Sequence, residues 1–257
     1  MPVLREFGRA ALVVATCAFG VQYLGYGHFT AGLPPVPPFI PGGTWIAYPL
    51  GVFLIGAALC TLLKVRNGWA ALSLGVLFFF CAVFLHCAHL MNVLRDPVAR
   101  TGAFEPLALS GGFFFLSQSD GVLSGRDRNL WFSPAALAYF GIALFSLSMI
   151  VFGQQHFQYA AFIAQLIPGW IPGHLFWAYT TGIVFVLGGI GLLSRYTRPF
   201  AAASLGLMFF LWFVLLHLPR VVSTSGKGEE WTSAFVALGF SGASLILMDT
   251  SSTHQVE

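Results

Sequence analysis

Charge is what this chain lacks. Of 257 residues, 12 are Lys or Arg and 9 are Asp or Glu, only 8% in all, against about 25% in an ordinary soluble domain. So thin a charged coat cannot wet a soluble surface. Twelve scattered cations also make no stripe along which a phosphate backbone could be neutralised, and nucleic-acid binding is excluded. Cysteine is scarce: Cys17, Cys60, Cys81 and Cys87 lie inside apolar runs, without the C-x-x-C spacing of a redox or zinc motif, and read as small buried hydrophobes. No Ser-His-Asp, paired-carboxylate or Gly-rich phosphate-binding pattern is present. No acid or base falls deep in an apolar segment, which disfavours active ion transport. What is abundant is apolar: 57% hydrophobic residues and a mean hydropathy of +0.81, a composition that lipid solvates rather than water.

A membrane-spanning helix needs about 20 mostly apolar residues. Segments near 9–32, 44–63, 68–94, 134–166, 175–194, 199–219 and 231–249 meet that test, and the shorter 104–118, uncharged after Glu105, makes an eighth. LPPVPPFIPGG from Leu33 to Gly43 and IPGWIPG from Ile167 to Gly173 cannot stay helical. The first segment follows Arg5 and Arg9 as a secretory signal would, but it is longer than a signal core and reads as retained. Arg5, Arg9, Lys64, Arg66, Arg126, Arg128, Arg195 and Arg198 fall on the side of the N-terminus, and Arg95, Arg100, Arg220 and Lys227 on the other. The positive-inside rule then expects both termini in the cytoplasm of a multi-pass protein of a bacterial inner membrane.

The chain also matches itself. At an offset of 131, Pro41-Gly42 meets Pro172-Gly173, Ala47-Tyr48 meets Ala178-Tyr179, Gly51 meets Gly182, Leu85-His86 meets Leu216-His217, and Ser110-Gly111 meets Ser241-Gly242. An offset of 133 pairs Phe19-Gly20, Gln22, Tyr26 and Phe29 with Phe152-Gly153, Gln155, Tyr159 and Phe162. Shared membrane composition explains matches of Leu and Phe; it does not explain Gln, Tyr, His and Pro-Gly in register. The expectation is an all-α integral membrane protein of eight transmembrane helices, arranged as two four-helix bundles related by a pseudo-two-fold axis. The first would occupy 1–119, a cytoplasmic linker 120–133 and the second 134–257. Gly51, Gly75, Gly111, Gly182, Gly206, Gly242, Gly188, Gly189 and Gly191 are candidate positions for close helix packing, since small residues do in lipid what the hydrophobic effect does in water.

Polar groups inside lipid are costly, so they are where function is sought. His86, His217, Gln22, Gln155, His156 and His89 are the candidates for a cofactor-binding site. Helix rise places the histidines of the chain, except His254, toward the outer face. Imidazoles there can ligate haem or a transition metal, or hydrogen-bond a quinone carbonyl; equally, His, Tyr and Trp settle at membrane interfaces with water as their partner. His86 and His89, three apart on one helical face, have a spacing able to hold one metal, although no carboxylate or thiolate accompanies them. The 27 phenylalanines read as lipid-facing or packing residues, with contact to a flat ligand as the minority reading.

Phe176-Trp177-Ala178-Tyr179 with Gly182, then Arg195 and Arg198, His217-Leu218-Pro219-Arg220, and Glu230-Trp231-Thr232 with Phe235 together resemble the DoxX family. The first half resembles it through Tyr48, Gly51, Lys64, Arg66, His86 and Ser110-Gly111, but has His86-Cys87-Ala88-His89 for the His-Leu-Pro-Arg run and Ala99-Arg100-Thr101 for Glu-Trp-Thr. The resemblance implies four-helix membrane bundles, some in tandem, and a redox neighbourhood of the quinol-oxidase, thiosulfate:quinone and oxidative-stress kind; it identifies no catalytic residue. The expected role is an accessory membrane subunit of a larger respiratory or photosynthetic electron-transfer complex, with the bilayer and other redox subunits as partners. The alternatives are a small-molecule binder or transporter using a cavity between the halves lined by Gln22 and Gln155, and a self-contained quinone-linked oxidoreductase carrying a bound chromophore.

Overall fold

The computed structural model describes residues 2–30, 32–65, 68–91, 96–119, 134–224 and 228–249, and its regular structure there is helical throughout. The helices are α1 Pro2–Tyr26, α2 Gly43–Leu62, α3 Trp69–Leu90, α4 Pro97–Ser119, α5 Pro134–Gln158, α6 Ala160–Leu166, α7 His174–Leu193, α8 Arg198–Ser223 and α9 Gly228–Ile246. Six of them (α1, α2, α3, α5, α7 and α8) are long and apolar enough to cross a membrane. The linker 120–133 with Arg126 and Arg128, and also Arg66, Arg95, Lys227 and His254, lie outside the described residues.

Boundaries differ from the apolar runs for local reasons. The run 134–166 is interrupted at Tyr159 (φ −120°), which separates α5 from the short α6. The run 104–118 is the inner part of a helix that starts at Pro97, where Asp96 caps the end: its Oδ1 accepts from the Val98 amide at 2.8 Å. α1 ends at Gly27, whose positive φ of 66° lets the chain turn away as its amide closes on the Tyr23 carbonyl. α3 and α8 each widen into a π-helical turn, at Cys81–His86 and Phe213–His217. Both turns end on a histidine, and those histidines are separated by the 131-residue offset. Single π-helical turns inside α-helices often mark functional sites, because they rotate side chains out of the regular α register.

Neighbouring helices close a ring. α1 packs on α2 and α9, α3 on α2 and α4, α5 on α4 and α7, and α8 on α7 and α9, while α4 and α9 touch each other across the middle. The two central helices are the most enclosed: α9 is buried continuously from Val236 to Ile246. A helix buried all round must be apolar or self-satisfied all round. Ser110, Ser117 and Ser244 accordingly return their hydroxyls to carbonyls of their own helix, and Ser241 donates across to the Gly206 carbonyl at 2.9 Å.

Glycine sets how closely these helices meet. A Cβ on Gly111 would stand 2.5 Å from the Gly141 carbonyl oxygen, and one on Gly242 would stand 2.5 Å from that of Gly8, so α4–α5 and α1–α9 cross backbone to backbone. Gly8 and Gly141 are separated by 133 residues, Gly111 and Gly242 by 131. The same offsets relate two hydrogen-bonded struts at the opposite end. Gln22 Nε2 in α1 donates to the Gly228 carbonyl (3.1 Å) and Thr232 Oγ1 (2.9 Å) at the start of α9. Gln155 Nε2 in α5 donates to the Pro97 carbonyl (3.0 Å) and Thr101 Oγ1 (3.2 Å) at the start of α4. Each strut joins residues before 120 to residues after 133, or closes a pair of chain neighbours, so the halves interlock rather than stand apart.

The termini gather at the other end, where Arg5 pairs with Asp249 (3.1 Å) and Lys64 with Glu6 (3.0 Å). Arg9 is fully buried there and donates to the Thr61 carbonyl.

Replacing Gly111 by Ala is expected to destabilise the protein in detergent, because backbone must move. Overpacking of this kind costs roughly 1–3 kcal/mol, several degrees in a thermal melt at about 2–4 °C per kcal/mol for a chain of this size. Gly56→Ala, where an added Cβ meets nothing within 4 Å, is expected to leave the melt unchanged or raise it. Equal melts for the two variants would refute the close crossing.

Candidate functional site

A cavity of about 320 Å³ opens at the end of the bundle away from the termini. Its floor and walls come from α5, α7, α8 and α9: Phe152, Phe185, Phe209, Trp212 and Phe240 form one connected aromatic cluster, with ring centroids 5.1–6.0 Å apart between neighbours. Tyr159 and the residues of α6 form the rim. The remaining wall is the outer part of α4, which contributes Pro97, Thr101 and Glu105.

Besides Thr101, Gln155, Tyr159 and Ser233, three ionisable side chains, His156, His217 and Glu105, stand in this largely apolar surround. His156 lies flat against Trp212 (5.8 Å between centroids, 20° between planes) and tilts against Phe185 at 5.0 Å. Its Nδ1 donates to the Phe152 carbonyl at 2.9 Å, which leaves Nε2 of the neutral ring as a hydrogen-bond acceptor. His217 closes the π-helical turn of α8; its Nδ1 is buried and has no hydrogen-bond partner among the described residues. Glu105 stands eight residues into α4, about 12 Å along the helix, and no described residue gives its carboxylate a hydrogen bond or ion pair. A flat molecule sliding between these rings would find an acceptor at His156, an imidazole at His217 and a carboxylate at Glu105.

Of the six candidate residues read from the sequence, the fold brings Gln155, His156 and His217 together at the cavity. Gln155 serves as a strut at its edge. The other three are elsewhere. Gln22 is held by α9, away from the cavity lining. His86 shares a hydrogen bond of 3.0 Å with the Pro35 carbonyl through Nε2. His89 is exposed, and its ring is tilted by 36° against that of Phe39, 4.5 Å between centroids. Gln22 and Gln155 therefore do not face one shared space. No third ligand joins His86 and His89: among the described residues, no three His, Cys, Asp or Glu side chains are grouped so that they could hold one ion.

Glu105 and Trp212 were not among the candidates. Glu105 is the second residue of the run 104–118, so it reads as an edge position; because the helix begins at Pro97, it instead stands two turns inside, which corrects the expectation that no acid falls deep in an apolar segment. The Asp96-Pro97 pair, a helix-start signal, would have placed it two turns inside a helix. Trp212 was hidden by its resemblance to the other interface aromatics.

The cavity volume lies near the lower end of ligand pockets, which run from about 300 to 1,000 Å³. It is of a size to take a single substituted or fused ring.

The struts make a prediction independent of any ligand. Gln155→Leu and Gln22→Leu should each cost about 1 kcal/mol, seen as a few degrees in the melt, and the losses should add because the two share no partner. A Gln155→Leu variant as stable as the wild type would show that the strut carries no load.

A family model described as a domain of unknown function (DUF8561) matches residues 145–239, the stretch that carries most of the cavity lining. No curated protein and no solved structure matches the chain.

Proposed function

We propose that this chain is a DoxX-like integral membrane protein with eight spans in two related halves. In this reading it is the membrane subunit of a quinone-linked electron-transfer assembly and holds the ring of a quinone-class molecule in its cavity. One observation carries the reading: an open, aromatic-walled cavity of ring size with His156, His217 and Glu105 among its polar groups. Aromatic faces give a flat ring its contact area, and a few placed polar groups give it orientation. Imidazole and carboxylate are the groups that accept and return the protons of a hydroquinone.

The two-half architecture is supported by the offsets of 131 and 133, which relate the Gln22 and Gln155 struts and the two glycine crossings. With α4 and α9 counted as spans, both termini lie on one side. The basic residues, eight against four, assign that side to the cytoplasm of a bacterial inner membrane. The cavity then faces outward, where a redox partner could reach it.

A second reading, a small-molecule binder or transporter, is favoured by one feature: Pro97, Thr101 and Glu105 come from residues before 120 and the rest of the lining from residues after 133, so the cavity lies at the seam between halves. Movement of one half against the other would open or shut it.

The test uses the purified full-length protein in mild detergent, titrated with 2-methyl-1,4-naphthoquinone while tryptophan fluorescence is followed. Saturable quenching is expected, weakened at least tenfold in the His156→Leu/His217→Leu double variant, with its melt checked in parallel. Absence of saturable binding of either the quinone or its quinol overturns the reading. Flux of the probe across proteoliposomes holding the protein alone would move the balance to the transporter.

A further inference from the structure

The place matching the cavity in the first half is filled by the chain itself. The offsets pair the lining residues Phe152, His156, Phe185, Phe209 and His217 with Phe19, Tyr23, Leu54, Phe78 and His86, and the first four of these counterparts are fully buried. What covers them is the loop after α1. Phe29 and Leu33 are 7% and 2% exposed, whereas their offset partners Phe162 and Leu166 are 61% and 40% exposed. One segment is folded into its site; the other is lifted off.

The polar contacts explain the difference. In the first half the Tyr23 hydroxyl donates to the Leu33 carbonyl (3.2 Å) and accepts from the Val36 amide (3.2 Å), and His86 Nε2 donates to the Pro35 carbonyl (3.0 Å). In the second half His156 replaces Tyr23, and its Nδ1 is turned to Phe152. The Leu166 carbonyl is taken instead by the Arg220 guanidinium. His217, the partner of His86, is left without a carbonyl. The apolar bulk and the acceptor that close the first site are both missing from the second.

We infer that the ligand of the cavity is a neutral, compact apolar molecule bearing a carbonyl oxygen, and that this oxygen accepts from His217 as the Pro35 carbonyl accepts from His86. The inference rests on the binding reading above and adds to it the functional group and its partner. His217 is the specificity residue for the carbonyl; His86 is a structural residue that seals the matching place. The segment Leu33–Val36 is in effect a built-in occupant, and it excludes ligand from the first half, so one site per chain results. Neutrality follows from the template, since the segment that fits offers only backbone amide groups and the side chains of Leu, Pro and Val to its surroundings.

The experiment is difference infrared spectroscopy of 2-methyl-1,4-naphthoquinone labelled with ¹³C at its carbonyls, bound to the full-length protein. The wild type is expected to bind one molecule per chain and to shift one carbonyl stretch to lower wavenumber. His217→Phe should abolish the shift and weaken binding about tenfold; His217→Gln, which keeps a donor, should retain part of both; His86→Phe should leave the shift in place. A wild type that binds the probe with both carbonyls unshifted, or a shift that survives in His217→Phe, overturns this inference while leaving the quinone-class reading standing. Failure of the wild type to bind at all overturns both.

Discussion

The backbone approach of α4 to α5 and of α1 to α9 is the constraint on which everything else rests. In lipid, helices gain little by hiding apolar side chains from one another, so cohesion has to come from close contact and a few hydrogen bonds. Gly111 against Gly141 and Gly8 against Gly242 supply the contact. They draw the two central helices into the ring, and α4 from Pro106 and α9 from Val236 are then buried on every side. Their serines, satisfied within their own helices or across to Gly206, are the consequence. The glutamine struts act at the far end of the same helix pairs, so each pair is fixed at two levels along its length.

The glycine crossings and the glutamine struts recur at offsets of 131 and 133 residues, whereas the contacts around the cavity do not. Tyr23 and His156 stand 133 residues apart, and they make different contacts with the segments that follow their helices. The phenol reaches both the Leu33 carbonyl and the Val36 amide and draws the segment down. The imidazole satisfies itself on its own helix, and Arg220 holds the matching segment at the rim. Leu54 to Phe185 and Cys81 to Trp212 change the emptied space from aliphatic to aromatic. A few residue differences thus accompany the contrast between a filled place and an open cavity. Glu105, brought in from the first half, adds a carboxylate that no residue of the second half could supply at that wall.

Sequence alone determined a good deal. The apolar runs, the Pro-Gly breaks and the scarcity of charge make the chain helical and membrane-compatible, because continuous apolar runs of about 20 residues fit a spanning helix, whereas a spanning strand is about half as long and alternates. The self-match identified which residues correspond, and the packing glycines stood out within it. Gln155, His156 and His217 were visible as polar groups in apolar surroundings.

Correspondence, however, is not contact. That Gln22 and Gln155 would each tie a different helix pair, rather than face a common cavity, depends on how the ends of α4 and α9 are set down. That His86 would be sealed and His217 left open depends on a loop tens of residues distant in the chain. The π-helical turns that present those two histidines, and the break at Tyr159, arise from packing that hydropathy does not register. Composition and periodicity report what each segment needs from its solvent, and the segments of the two halves need the same things. Which half keeps a vacancy is decided by long-range hydrogen bonds and loop burial, and these exist only once the helices have closed.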